Sequence, residues 1–83
     1  MELRQGKSLS YQYHKNRSEQ WYVIAGKAWV VLSDDQITHS FKVVPGMTVK
    51  INKFEKHKLE ALEDCTILEI SKGYFDEDDI VRL

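Results

Sequence analysis

The stretch "SLSYQYHKNRSEQWYVIAG", residues 8–26, decides the fold. Its first half alternates, with Leu9, Tyr11 and Tyr13 set against Ser8, Ser10, Gln12 and His14. A period of two marks a strand with one face turned to a core. Its second half, "QWYVIAG", is β-branched and aromatic, and Gly26-Lys27 ends it. Similar runs recur: "AWVVLS", then "QITHSFKVV" (36–44) after the polar turn Ser33-Asp34-Asp35. "MTVKI" (47–51) follows Pro45-Gly46, and "HKLEAL" (57–62) and "CTILEIS" (65–71) come after short polar gaps. Strand-sized runs at this spacing, punctuated by turn residues, predict an all-β sandwich or barrel. Pro45 falls in a turn, where its missing N–H removes no ladder bond. Only the tail "FDEDDIVRL" suits a turn of helix, its acidic residues favouring a helix start.

Composition sets outer bounds. Eighty-three residues make a single domain, 1–83. A chain this short buries only about 60% of the surface it exposes when unfolded, so a partner copy or a metal would help it. The net charge of −1 argues against nucleic-acid binding, which needs a basic excess. One cysteine, Cys65, excludes an intramolecular disulfide, and it is expected to be a buried small apolar group. "MELRQGKSLS" has no apolar core of a signal peptide, and no run approaches the ~20 apolar residues of a membrane span. The expected location is cytoplasmic.

Gln12 and His14 lie two apart, so a strand points both to one face, together with Ser8 and Ser10. A hairpin return is expected to bring Glu19 beside His14. An amide oxygen, an imidazole and a carboxylate then converge. That donor set suits a borderline divalent ion: Zn²⁺, with Mn²⁺, Fe²⁺, Co²⁺ and Ni²⁺ as alternatives. His57, at the head of a later strand, is the expected fourth ligand. The competing view is a solvated hairpin tip, because short motifs match by accident.

The spacing extends beyond this cluster. Gly6, five residues, Gln12-Tyr13-His14, four residues, Glu19, six residues, Gly26 resembles the first motif of the cupin superfamily, with Gln for its first His. Gly46, five residues, Asn52-Lys53-Phe54, two residues, His57 resembles the second motif. Here Asn52 replaces Pro, Phe54 replaces Gly and Ala61 replaces Asn. "LSYQYHKNRSEQWYVIAGKAWV" resembles the "LSLQxHxxRxExWxVxxGxAxV" signature of the C-terminal cupin of type II phosphomannose isomerases. "DEDDIVRL" resembles that family's "EDDIVR" ending. The resemblance implies a small jelly-roll-like β-barrel of two antiparallel sheets. It carries the metal ligands over as Gln12, His14, Glu19 and His57, Arg82 as a catalytic or phosphate-contacting residue, and Arg17 as the family's Arg before Glu. No Gly-rich nucleotide signature occurs in these residues, so nucleotidyl transfer is not expected of them.

Three functions fit this picture. The first is interconversion of mannose 6-phosphate and fructose 6-phosphate, with Arg82, Arg17, Lys53 and Lys56 as phosphate-holding cations and no evident carboxylate base. The second is a non-catalytic cupin that binds a metal and a small sugar-like ligand as sensor or accessory domain. The third is a dimerisation domain with an empty polar cavity. A homodimer is expected in each case, since small barrels with exposed edges pair with copies of themselves. Trp21 and Trp29 are expected in a core or interface, His39 in solvent, and "DEDD" (76–79) in a solvated turn or a helix start.

Overall fold

The computed structural model describes residues 1–73 and 79–83. Among the described residues nine strands form: β1 (Glu2–Leu3), β2 (Ser8–His14), β3 (Arg17–Ala25), β4 (Ala28–Ser33), β5 (Thr38–Val43), β6 (Thr48–Ile51), β7 (Lys56–Ala61), β8 (Cys65–Gly73) and β9 (Ile80–Arg82). Four make one sheet in the order β1-β8-β3-β6, and five make the other in the order β5-β4-β7-β2-β9. Every pairing is antiparallel. The expected all-β barrel of two antiparallel sheets is the fold observed.

The inner faces meet over Trp21, Val23, Ala28, Val30, Val43, Val49, Ile51, Leu59, Ala61, Cys65 and Ile67. Strict alternation along β7 shows how the sequence builds this: His57, Leu59 and Ala61 are buried, while Lys58 and Glu60 are exposed. Cys65 is buried as expected. Trp21 joins the core, whereas Trp29 faces outward and is exposed. Gly26 closes the β3–β4 turn at φ 80°; a Cβ there would lie 2.1 Å from the Asp64 carbonyl oxygen, so no side chain fits.

Two local expectations change. β2 and β3 do not form a hairpin: the turn at 15–16 carries the chain from one sheet to the other. The described tail is helical only at Asp79, in 3₁₀ conformation, because Ile80–Arg82 pair with Gln12–His14 as an edge strand. β-branched Ile80 and Val81 suit that placement. Residues 76–78 of the acidic run lie outside the described residues, and Asp79 is buried rather than solvated.

A bulge in β2 also revises which residues share a face. Leu9 pairs with Leu59 and Gln12 pairs with His57, so β2 gains one residue against β7 between them. Directly paired residues share a face, and Leu59 and His57 both point inward. Leu9 therefore packs on the core, and Gln12 and His14 still point inward. Ser8 and Ser10 are exposed instead of sharing their face.

Candidate metal centre

At one end of the barrel the inward positions turn polar. β2 ends in His14, β3 begins with Arg17 and Glu19, and β7 begins beside His57. His14, Glu19 and His57 are all buried. They stand on opposing sheets whose inner faces look at each other, which is why they meet without a hairpin. One ligand atom from each lies within 4.8 Å of the others. His14 Nε2 is 2.9 Å from Glu19 Oε1. Donors that share one cation with bonds of about 2.0–2.2 Å sit roughly 3 Å apart, so this spacing fits.

The His57 imidazole is prepared for lone-pair donation. His57 Nδ1 lies 3.1 Å from the Glu55 carbonyl oxygen, which can only accept, so Nδ1 carries the proton. Its Nε2 is buried with no hydrogen-bond partner among the described residues, as is His14 Nδ1. Burial, then the charges of Arg17 and His57, lower the His14 pKa to about 4. Burial also lowers that of His57. Both rings are thus neutral near pH 7, the state a metal requires. A buried ring nitrogen without a partner is costly, and a cation among these three side chains would satisfy it.

Gln12 pairs with His57 on one side and Arg82 on the other. All three therefore share the inner face of the five-stranded sheet, with exposed Arg82 at its edge. Arg17 reaches both His14 and Glu19: its Nη2 is 3.3 Å from His14 Nε2, and its Nε is 3.4 Å from Glu19 Oε1. The structure does not bring the two lysines to this cluster. Lys56 lies on the outer side of β7 with Lys58 and Glu60, and Lys53 is exposed in the β6–β7 turn. His39 is exposed on β5, as expected.

Residues 1–83 match the family described as Mannose-6-phosphate isomerase C-terminal. The chain belongs to that family. This cupin is 33% identical over 85 residues to xanthan biosynthesis protein XanB of Xanthomonas campestris pv. campestris (strain B100), covering 96% of the chain and 17% of that protein. It is 32% identical over 83 residues to mannose-1-phosphate guanylyltransferase 2 of Escherichia coli O157:H7, covering 96% of the chain and 16% of that protein. The chain therefore spans less than a fifth of either relative. Oxalate decarboxylase from Bacillus subtilis matches all of the chain and 22% of its own, with TM-score 0.88 and 26% identity. The capsular polysaccharide assembling protein CapF from Staphylococcus aureus, at TM-score 0.85 and 19% identity over 100% of this chain and 26% of its own, shares the fold.

Three supports of the cupin site escaped sequence reasoning. Trp21 Nε1 donates to Glu19 Oε2 at 3.0 Å, and its ring meets His57 edge-on with centroids 5.6 Å apart. Asp79 accepts the Lys15 N–H at 2.9 Å and the Asn16 N–H at 3.0 Å, fastening the turn between His14 and Arg17 to β9. Glu69 pairs with Trp21 across β8 and β3 and so stands on the inner face, at an exposed position beyond buried Cys65 and Ile67 that is only partly shielded from solvent. Burial, then a hydrogen bond to Glu19 and the Glu19 charge, raise the Glu69 pKa to about 7. The alternation of Cys65, Ile67 and Glu69 was a signal for the last of these, since it puts Glu69 on the core face of its strand.

Proposed function

We propose that His14, Glu19 and His57, with Gln12 as fourth donor, hold a divalent transition metal, and that a sugar phosphate binds over it for aldose–ketose isomerisation. The observation that carries this reading is the convergence of two neutral buried imidazoles and a carboxylate, with His57 Nε2 unsatisfied among the described residues. Zn²⁺ suits this mixed nitrogen and oxygen set, as do Mn²⁺, Fe²⁺, Co²⁺ and Ni²⁺. When bound, the ion supplies Lewis-acid polarisation of the substrate's carbonyl and hydroxyl oxygens. Arg17, against His14 and Glu19, and Arg82, on the same face as Gln12, are the cations placed for the phosphate. Glu69 faces the same interior and is not needed as a ligand. It takes the proton from C2 and returns it to C1, while a proton passes between the two oxygens, so the exchange involves no oxidant.

The relatives named above support a sugar-phosphate substrate, mannose 6-phosphate with fructose 6-phosphate as product. The test is turnover of mannose 6-phosphate by protein loaded in turn with each of the five metals. Activity in wild type and its loss in Glu69→Gln is the expected result. Absence of turnover with every metal overturns the isomerase.

The placement of Lys53 and Lys56 outside the cluster favours a second reading, a non-catalytic cupin that binds metal and a sugar-like ligand. Binding of mannose 6-phosphate without turnover supports it. Either protein is proposed to pair with a second copy through Tyr22, Ile24, Leu68 and Ile70, which cluster on the outer side of the four-stranded sheet. Sedimentation of wild type against Leu68→Lys checks that interface: a monomer in both discards it.

A further inference from the structure

The turn at residues 52–55, between β6 and β7, contains a conflict. Phe54 has φ 65°, and no other described residue except glycine has positive φ. That left-handed backbone is unfavourable for a bulky side chain and natural for glycine. Burial does not offset the strain: Phe54 is 62% exposed, more than any other large apolar residue described. The backbone bonds of the turn do not need the ring either. The Phe54 N–H donates to the His14 carbonyl oxygen at 2.7 Å, and the Glu55 N–H donates to the Asn52 carbonyl oxygen at 3.1 Å. Glycine would make both.

Position gives the ring a use. The bond to the His14 backbone fixes the turn at the polar end of the barrel. There Phe54 lines a hollow of about 270 Å³ with Asp34, Asp35, Asn52, Lys53 and Glu55. That volume is near the lower limit of small-molecule sites and suits a single ring. A pyranose offers an apolar C–H face and a rim of hydroxyls. The hollow offers an aromatic plane, acceptors on Asp35 and Asn52, two further carboxylates, Asp34 and Glu55, that already accept backbone N–H groups, and one cation, Lys53, so it suits the hydroxyl rim of a sugar and leaves a phosphate to Arg17 and Arg82. Strain retained at an exposed side chain beside a site points to function.

We propose that Phe54 is a specificity-determining residue whose exposed ring packs against the C–H face of a sugar entering the His14–Glu19–His57 site. This rests on the sugar-phosphate reading above. It also gives Lys53 a place at the rim of this hollow.

The test is calorimetric titration of zinc-loaded wild type, Phe54→Gly and Phe54→Trp with mannose 6-phosphate and with inorganic phosphate, beside thermal unfolding. Phe54→Gly is expected to melt about 5 °C higher. It is expected to bind mannose 6-phosphate roughly three- to tenfold more weakly, with phosphate affinity unchanged. Phe54→Trp should keep wild-type sugar affinity. Equal sugar binding by wild type and Phe54→Gly at equal zinc content overturns the proposal alone. A Phe54→Gly melting point at or below wild type removes its premise of strain and also overturns it. Zinc-loaded wild type that ignores mannose 6-phosphate overturns the sugar-phosphate reading, and this inference with it.

Discussion

The two ends of the barrel interior are built on the same strands and differ in what those strands point inward. On β3 the inward series runs Val23, Trp21, Glu19, Arg17. On β7 it runs Ala61, Leu59, His57, and on β8 Cys65, Ile67, Glu69. On β2 it passes from Leu9 through the bulge to Gln12 and His14. The apolar half supplies buried area, which is the main favourable term in folding. The polar half buries two imidazoles and a carboxylate, which costs stability unless they are paired or bound to a metal. Trp21 stands at the boundary, with its ring in the core and its N–H on Glu19. Neighbouring inward positions on one strand can thus have separate tasks.

Leu59 and His57 give the sharpest way to break that division. Leu59→Ala should cost about 2–5 kcal/mol of folding stability, read by denaturant unfolding. Its folded fraction should take up Zn²⁺ as wild type does. His57→Ala should weaken Zn²⁺ binding by more than the roughly 10–100-fold typical of changing an outer partner of a metal ligand. Competition with a chromophoric chelator measures it. If both variants move both readouts alike, the two halves are one unit.

Trp21→Phe comes next in size and tests the boundary. It keeps most of the apolar volume and removes the donor to Glu19. Stability should fall by about 1.5–3 kcal/mol, the range for hydrogen bonds to charged groups, and Zn²⁺ affinity by roughly tenfold. A change in stability with zinc affinity intact would place Trp21 wholly in the core half.

The smallest expected effect is on pH dependence, measured as melting temperature in chelator. His14 titrates near 4 in the fold and at 6.5 ordinarily, and His57 is lowered in the same direction. The stability tied to the neutral rings is therefore present above pH 6.5 and is lost as pH falls toward 4. Glu69 opposes this, since its carboxyl titrates near 7 in the fold and at 4.5 ordinarily. Its contribution is greatest at low pH and is lost as pH rises from 4.5 to 7. Glu69→Gln should therefore steepen the acid loss between pH 6.5 and 4.5 and raise the melting temperature near pH 7. Parallel curves for variant and wild type would show that Glu69 does not share the site's electrostatics.

The sequence made parts of this barrel readable and hid others for identifiable reasons. Strands β2 to β8 followed from alternation and turn residues, because a period of two survives in a single chain. That Gln12 and His14 share a face followed from the same rule. Their relation to Leu9 did not, since a bulge inserts one residue without any local mark. The meeting of His14 and Glu19 was expected, but by a hairpin; the crossing between sheets depends on which strands pair at long range. Asp79 looked like part of a solvated acidic run, and only the docking of β9 shows its carboxylate receiving two backbone N–H groups. Glu69 escaped notice: the alternation after Cys65 and Ile67 puts it on the inner face of β8, yet nothing local says which glutamate stands near the cluster.

The Asp79 clasp has a consequence in time as well as in space. It joins residues more than sixty positions apart, near the two ends of the described chain. Such a contact carries a large loop-closure cost, and contacts of that separation slow folding. The turn between His14 and Arg17 stays unfastened until β9 reaches β2. A chain emerging from synthesis thus has two of the three convergent side chains, His14 and Glu19, early, but gains the carboxylate that fastens their turn only some sixty residues later. Any metal uptake by that cluster then waits on β9, and would report that the sheet has closed.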